Sequence, residues 1–340
     1  MRALTLVADR EIELLEVAAP PAPAAGEVQI GIKAIGLNHI DVWGWRGMAF
    51  ARRTLPLIVG VEAAGEIVAV GTDVDPLKVG DRVVAYGAQT CGTCPACSAG
   101  RDNLCENVGS ILGFHVDGFA RDLLNLPARL VVPIPPGISF RDAACAPVAF
   151  GTVQHMLFDN AKLKAGESIL VQAGGSGIGT TAIKMAKAIG CTVFTTVGDD
   201  AKAAKAKALG ADHVINYRTE RFEGVVRRLT AKKGVDVAFE HVGPDTFNGS
   251  LLCLKRGGRL VTCGSTTGQS ISFNLFQLYL QQYRIVGSFG CTIRNIHESL
   301  TKMASGLTPV IDTEVALADF EHGLKRLESR QVFGKIIVMF

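Results

Sequence analysis

Apolar and polar residues alternate along the first 135 or so positions of the chain. The stretch EVQIGIKAIG (27–36) alternates, as does GEIVAVG (65–71), while GDRVVAYG (80–87) and LVVPIP (130–135) are short β-branched runs closed by Gly or Pro. A period of two over such lengths predicts strands with one buried face, so this half reads as a β-rich domain. From Ser139 the texture changes. SFRDAACAPVAFGTVQHMLFDN (139–160) is apolar at helical spacing, with Ser139 where an N-cap belongs. Beyond it, strands are expected at 168–172, 192–197, 213–217, 235–242, 259–264 and 284–290, separated by helical stretches such as 180–190, 199–210 and 220–230. Short apolar strands alternating with amphipathic helices predict a parallel sheet covered on both faces, and six of them make a doubly wound dinucleotide-binding fold. Residues 318–340 read as a helix and then an apolar strand. Arriving after a complete six-stranded sheet, that strand is expected to return to the β-rich domain.

Composition narrows the function without choosing it. The 340 residues carry 35 basic and 32 acidic side chains, a net charge of +3, which gives no reason to expect nucleic acid or an acidic membrane surface as a partner. No stretch reaches the roughly 18 consecutive apolar residues of a membrane span, and the N-terminus lacks the apolar segment of a secretory signal. A soluble, cytoplasmic protein is the expectation. Nine cysteines fit it: Cys145, Cys191, Cys253, Cys263 and Cys291 stand singly among apolar neighbours, and four are clustered. In a reducing compartment a cluster binds metal more often than it forms disulfides.

The strand–turn–helix VQAGGSGIGTTAIKMAKAIG (171–190) holds Gly174, Gly175, Gly177 and Gly179, with Ser176 where the second glycine of a strict G-x-G-x-x-G would stand. Such a turn needs free φ and close approach of backbone to a pyrophosphate, which the helix N-terminus attracts. Gly174, Gly175, Ser176, Gly177 and Ile178 are therefore expected to meet the pyrophosphate of a dinucleotide. The second strand ends TTVGDDAK, placing Gly198 at the position that is acidic in NAD-binding turns, with Lys202 four residues on and Tyr217 at the end of the third strand. The glycine and the lysine favour NADP(H) over NAD(H), while Tyr217 admits a place under the adenine, a bond to the phosphate or an ordinary strand-end role. Asp199 and Asp200 count against NADP(H) unless they face solvent as the first turn of the next helix, where acids suit the dipole. Ligands bind at the carboxyl ends of parallel strands, so Val242–Gly243, Cys263–Gly264 and Ser288, Phe289 and Gly290 are expected at the nicotinamide end.

CGTCPACSAGRDNLC (91–105) spaces its cysteines C-x2-C-x2-C-x7-C. Cys91, Cys94, Cys97 and Cys105 are the residues for a tetrahedral zinc site with no open position. Taken in order, GVEAAGEIVAVG (60–71), this lobe and VQAGGSGIG (171–179) resemble the medium-chain dehydrogenase/reductase superfamily, the zinc alcohol dehydrogenases and quinone oxidoreductases. HVGPDTFNGSLLCLKRGGRLVTCG (241–264) and IVGSFG (285–290) fit it too. The resemblance implies a GroES-like domain from residues 1–145 and 290–340, a Rossmann domain over 146–289, and a homodimer or dimer of dimers paired through 284–290. It also implies that the four-cysteine lobe holds a structural zinc.

Zinc dehydrogenases of this family carry a second, catalytic zinc. Its ligand positions fall here on Asn38, Val61 and Val148, and Ile40 replaces a relay hydroxyl. Without that Lewis acid an unactivated alcohol is hard to deprotonate. An enone, enoyl thioester or quinone delocalises the charge it gains, and one or two hydrogen-bond donors suffice. The expectation is an NADP(H)-dependent reductase of activated C=C bonds or quinones. Asn38 is the expected carbonyl donor, Asp41 the group that orients it, and Arg46 a pocket cation. By the resemblance, His39 contacts the pyrophosphate, Glu62 lies behind the metal position and Thr152 lies beside the nicotinamide. His155, Trp43 and Trp45 admit either core or pocket roles, and Arg52 and Arg53 belong either to a solvated loop or to a site for the phosphates of an acyl-CoA. The alternatives are an alcohol or aldehyde dehydrogenase, and an inactive cofactor-binding protein.

Overall fold

The computed structural model describes residues 1–48 and 53–340, and its contacts divide the chain into two units: Met1–Gly151 with Cys291–Phe340, and Thr152–Gly290. The first unit contains β1 (Arg2–Ala8), β2 (Glu11–Glu16), β3 (Glu27–Gly36), β4 (Leu57–Ile58), β5 (Ala63–Val70), β6 (Arg82–Ala85), β7 (Leu123–Pro127) and β8 (Val131–Pro133). The second contains β9 (Ser168–Val171), β10 (Thr192–Val197), β11 (His213–Asn216), β12 (Val235–Glu240), β13 (Leu254–Thr262) and β14 (Arg284–Gly287). The chain then re-enters the first unit for β15 (Ile311–Ala316) and β16 (Lys335–Met339).

In the first unit a seven-stranded sheet runs β15-β16-β3-β5-β6-β8, with β7 also on β3, beside a small sheet β2-β1-β4. The last strand does return: Ile337 pairs with Gly36 and Val338 with Ile35. β3 pairs with both β5 and β7, and its register with β5 shifts at Gln29/Ile30 and Ile32/Ala34. Its inward residues Val28, Ile30 and Ile32 join Leu4, Leu6, Ile67, Phe119 and Phe320 in one core. Each such side chain fully buried contributes on the order of 1.5–3 kcal/mol.

The second unit is the six-stranded parallel sheet, ordered β11-β10-β9-β12-β13-β14. All six expected strands are present. β12 has no exposed residue, as a strand covered on both faces requires. β11 and β14 are its edges, and the helix Leu275–Leu280 before β14 buries nothing.

The expected long helix from Ser139 is interrupted. Ser139 does cap, its hydroxyl accepting the Asp142 N–H at 3.1 Å. The chain then alternates short α-helical pieces, Phe140–Ala143 and Gly151–Gln154, with wider π turns over Ala146–Phe150 and His155–Asn160. Pro147 has no N–H to give to a regular ladder. No helix among the described residues is long and apolar enough to cross a membrane.

Candidate functional site

The cysteine lobe is built for a metal. The four Sγ atoms all lie within 4.8 Å of one another. Cys91–Cys105, Cys94–Cys105 and Cys91–Cys97 are separated by 3.6, 3.9 and 4.0 Å. A zinc tetrahedron with Zn–S bonds of about 2.3 Å has S···S edges of about 3.8 Å. Backbone N–H groups of Thr93 and Cys94 point at the Cys91 sulfur and bring its pKa down, toward the thiolate a metal needs, whereas burial pushes the Cys97 thiol up in the metal-free cluster. The cluster therefore fits a structural zinc site. It is the only group of three or more Cys, His, Asp or Glu with converging ligand atoms among the described residues.

The positions that correspond to a catalytic metal's ligands converge on Glu62, and a cation from far along the chain meets them there. Lys335, at the first position of β16, buries its ammonium and donates to Glu62 Oε1 (2.7 Å), Asn38 Oδ1 (2.6 Å) and the Leu37 carbonyl (2.7 Å). Glu62 Oε1 also accepts from Asn38 Nδ2 at 2.8 Å, and Oε2 accepts the Val148 N–H at 2.7 Å. Glu62 and Lys335 are 0% and 3% exposed. Gly36 makes room, because a Cβ there would stand 2.4 Å from Glu62 Oε1.

This geometry changes the roles expected of three residues. Asn38 Nδ2 donates to the Gly36 carbonyl (3.1 Å) as well as to Glu62, so both amide hydrogens are committed internally and neither is left for a substrate carbonyl. Arg46 follows the last turn of the helix His39–Trp45 and reaches Glu328 at 3.4 Å on a half-exposed surface, not an internal carboxylate. Arg53 donates to Asp9 at 2.6 Å and to the Gly44 carbonyl, which holds it away from a phosphate; Arg52 lies outside the described residues. Trp45 is core, with the Arg10 guanidinium 4.7 Å from its ring centroid. His39 opens the helix and is half-buried.

Asp41 meets Asn38 at the backbone, where its Oδ2 accepts the Asn38 N–H at 2.8 Å. Burial raises the Asp41 carboxyl to about 7, against the pull of that N–H and of Lys335. A folded pKa above the unfolded value of about 3.9 means the folded chain holds the extra proton between about pH 4 and 7, so this group makes stability fall as pH rises through that window. Asp41→Asn keeps the acceptor oxygen and removes the titration. Urea unfolding should show the variant gaining on the parent steadily from pH 4.5 to 7.5; a constant difference would contradict the assignment.

In the second unit β9 ends at Val171, and Gly174 and Gly179 close the turn where no side chain fits. A Cβ on Gly174 would lie 2.1 Å from Thr195 Oγ1, and one on Gly179 would lie 2.3 Å from the Ala173 carbonyl. Ser176 caps the helix Gly177–Ala188, accepting the Gly179 N–H at 2.9 Å, which explains why serine stands there. Gly175, Gly177 and Ile178 complete the turn. The turn and helix start fit a pyrophosphate.

The acids after Gly198 have other work. Asp199 caps the next helix through the Lys202 N–H (2.7 Å), and Asp200 accepts from Asn216 (2.9 Å). Tyr217 places its hydroxyl 2.7 Å from where a Gly198 Cβ would stand. At the far strand ends, Val242 has both backbone groups engaged, its N–H with Glu240 (2.6 Å) and its carbonyl with Thr267 (2.9 Å). It is therefore not the free backbone contact expected of it. Cys263 and Gly264 follow β13, and burial pushes the Cys263 thiol up to about 12. Ser288 pairs with Thr262 and Asn160, Phe289 is exposed, and Gly290 has φ +54°. Thr152 is buried, and His155 shares a hydrogen bond with Asp159 at 2.9 Å.

A β-rich unit with a four-thiol lobe, joined to a six-stranded parallel unit with a glycine turn, defines a nicotinamide-dependent oxidoreductase. Residues 24–136 match the alcohol dehydrogenase GroES-like domain family and residues 177–305 the zinc-binding dehydrogenase family, so the chain belongs to the medium-chain dehydrogenase/reductase superfamily. It is 32% identical to a quinone oxidoreductase of Salmonella typhimurium, over 94% of this chain and 93% of that one. It is 31% identical to an acryloyl-coenzyme A reductase of Metallosphaera sedula, again over 94% and 93%. Among solved structures, an NAD-dependent alcohol dehydrogenase superposes with a TM-score of 0.94 at 34% identity, each chain covered in full.

Proposed function

We propose that the protein is a reductase of activated C=C bonds or quinones that uses NADP(H) in preference to NAD(H). The observation that carries this reading is the Lys335–Glu62–Asn38 cluster. At the place where zinc dehydrogenases hold their catalytic metal, this chain offers two valines, a saturated amide and a carboxylate already bound to an ammonium. That donor set does not fit a zinc ion. The ammonium cannot substitute for one, because all three of its protons are donated inside the protein.

The reduced nicotinamide supplies the hydride when it is bound. The chain's own contribution is to hold the reactants and exclude water, and acceptors that delocalise their own negative charge suit a site with no Lewis acid. Asn38 and Asp41 position the start of the helix His39–Trp45 rather than touch the substrate. The glycine turn with Ser176 would hold the pyrophosphate. Gly198, Tyr217 and Lys202 would receive a 2′-phosphate, since Asp199 and Asp200 are occupied as cap and as partner of Asn216. The nine free thiols suit a reducing cytoplasm.

The test is a panel assay on the whole protein, following NADPH oxidation with enones, quinones and enoyl-CoA thioesters, and NADP⁺ reduction with secondary alcohols. Turnover of the first group should dominate and survive a chelator mild enough to leave the fold intact. Faster turnover of simple alcohols would support the second reading, an alcohol dehydrogenase, which the likeness to the NAD-dependent alcohol dehydrogenase favours.

We infer a homodimer. Among the described residues nothing pairs with the outer edge of β14, and Leu275, Phe276, Tyr279 and Phe289 around it are well exposed. Light scattering should give twice the 36.0 kDa of the chain. Ile285→Lys with Tyr279→Asp should give the single-chain mass; an unchanged mass would place the interface elsewhere.

A further inference from the structure

The C-terminal ends of β10, β9 and β12 lie side by side. Beneath them runs a set of sealed polar side chains: Gln172, Ser250 and Glu240 are 0% exposed and Thr196 is 2%. A buried polar group is costly unless paired. These are all paired, and in one direction. The Ala173 N–H donates to Thr196 Oγ1 (3.1 Å), and the Thr196 hydroxyl donates to Gln172 Oε1 (2.6 Å). Gln172 Nε2 donates to Ser250 Oγ (2.9 Å), and the Ser250 hydroxyl donates to Glu240 Oε2 (2.8 Å). Each hydroxyl has one proton, and because its other neighbour here is an oxygen that can only accept, the proton goes there. A chain whose members all donate toward a buried carboxylate polarises itself link by link.

Glu240 has a second set of partners. Its Oε1 accepts the N–H groups of Val242 (2.6 Å) and Gly243 (3.1 Å), and the Thr246 hydroxyl lies 3.0 and 2.9 Å from its two oxygens. One carboxylate thus holds the loop 241–246 directly and the first residue of the glycine turn through three side chains. Both segments need holding. Ala173 sits at φ +48°, a left-handed conformation unfavourable for a residue with a Cβ. Gly243 sits at φ +104°.

We propose that Gln172 is a positioning residue for the cofactor. It joins the turn 173–179 and the loop 241–246 into one hydrogen-bonded unit, so that the two ends of a dinucleotide meet a surface already set. The proposal rests on the reading that this unit binds a nicotinamide dinucleotide.

Gln172→Leu keeps most of the volume and makes no hydrogen bond. In the cofactor-free, full-length protein, amide exchange should accelerate at least about tenfold in both 173–175 and 241–246, with β9, β12 and β13 unchanged. Fluorescence titration should show NADPH and NADH binding about tenfold more weakly. Ser250→Ala and Thr196→Val break the chain on either side of Gln172, so their double variant should lose little more affinity than the worse single variant. Parental exchange and parental Kd in Gln172→Leu would overturn the proposal, as would additive losses in the double variant. If Gln172→Leu does not fold, the Ser250–Thr196 cycle decides. If the parent binds neither nucleotide, the cofactor reading fails on its own, and exchange shows whether the two segments still open together.

Discussion

Replacing Lys335 by methionine should destabilise the first unit by about 3–5 kcal/mol, the cost of leaving one partner of a buried ion pair alone. The change removes three hydrogen bonds at once and strands the Glu62 carboxylate at 0% exposure, with only Asn38 and the Val148 N–H left to it. A domain's whole stability is about 5–15 kcal/mol, so the variant should stand close to unfolding at growth temperature. Adding Glu62→Gln should restore part of the loss, because no charge remains to be desolvated and the amide oxygen can still accept from Asn38 or from the Val148 N–H, though not from both. Urea unfolding of the two single variants and the double measures this directly. A single-variant loss below about 1 kcal/mol, the range of exposed pairs, would mean that the pair is not sealed from water.

The second large effect belongs to the lobe. Cys105→Ser should abolish zinc binding at the lobe and unfold residues 91–105, while the six-stranded sheet keeps its protection against exchange. The reason is that the lobe has almost no core of its own. Its buried cluster is Cys94, Ala96 and Cys105, packed on Cys91 and Cys97. Structural zinc in small domains contributes about 10–16 kcal/mol of apparent binding free energy, which such a loop cannot replace with apolar burial. Loosening should spread to residues 291–295, since Asp102 accepts the Ile293 N–H at 3.1 Å. Metal analysis with limited proteolysis reads the outcome. Full zinc content in the variant, or a lobe still resistant to protease, would show that the four sulfurs do not share one ion.

The framework was legible because its signals are local. Period-two runs, β-branched strands bounded by Gly and Pro, and amphipathic helices between them located the whole six-stranded sheet. Ser139 read correctly as a cap, and Asp199 proved to be the start of a helix, as one of its two readings required. The cysteine spacing brought four sulfurs together without further help.

What stayed hidden depends on sequence separation. Lys335 meets Glu62 across 273 positions, and in GKIIVMF it reads as an ordinary lysine at the start of an apolar strand. The available clue was Glu62 itself, a carboxylate between valine and two alanines with no cation nearby in the chain. Asn38 was expected to face a substrate because nothing local showed what would claim its hydrogens. Arg46 was expected inside because the sequence does not say which way the last turn of a seven-residue helix faces. The chain from Ala173 to Glu240 likewise joins three strands whose order only the folded sheet displays.

Gly36 and Lys335 together have a consequence for anyone redesigning this enzyme. Converting Asn38, Val61 and Val148 to cysteine and histidine would recreate a ligand set on paper. The carboxylate behind it would still be held by the Lys335 ammonium, which also bonds the side chain at position 38, so neither group would be available to support the new ligands. Lys335 and Glu62 would have to be replaced together, because losing the ammonium alone strands the carboxylate, so building a zinc-type site involves the chain's last strand as much as the ligand positions.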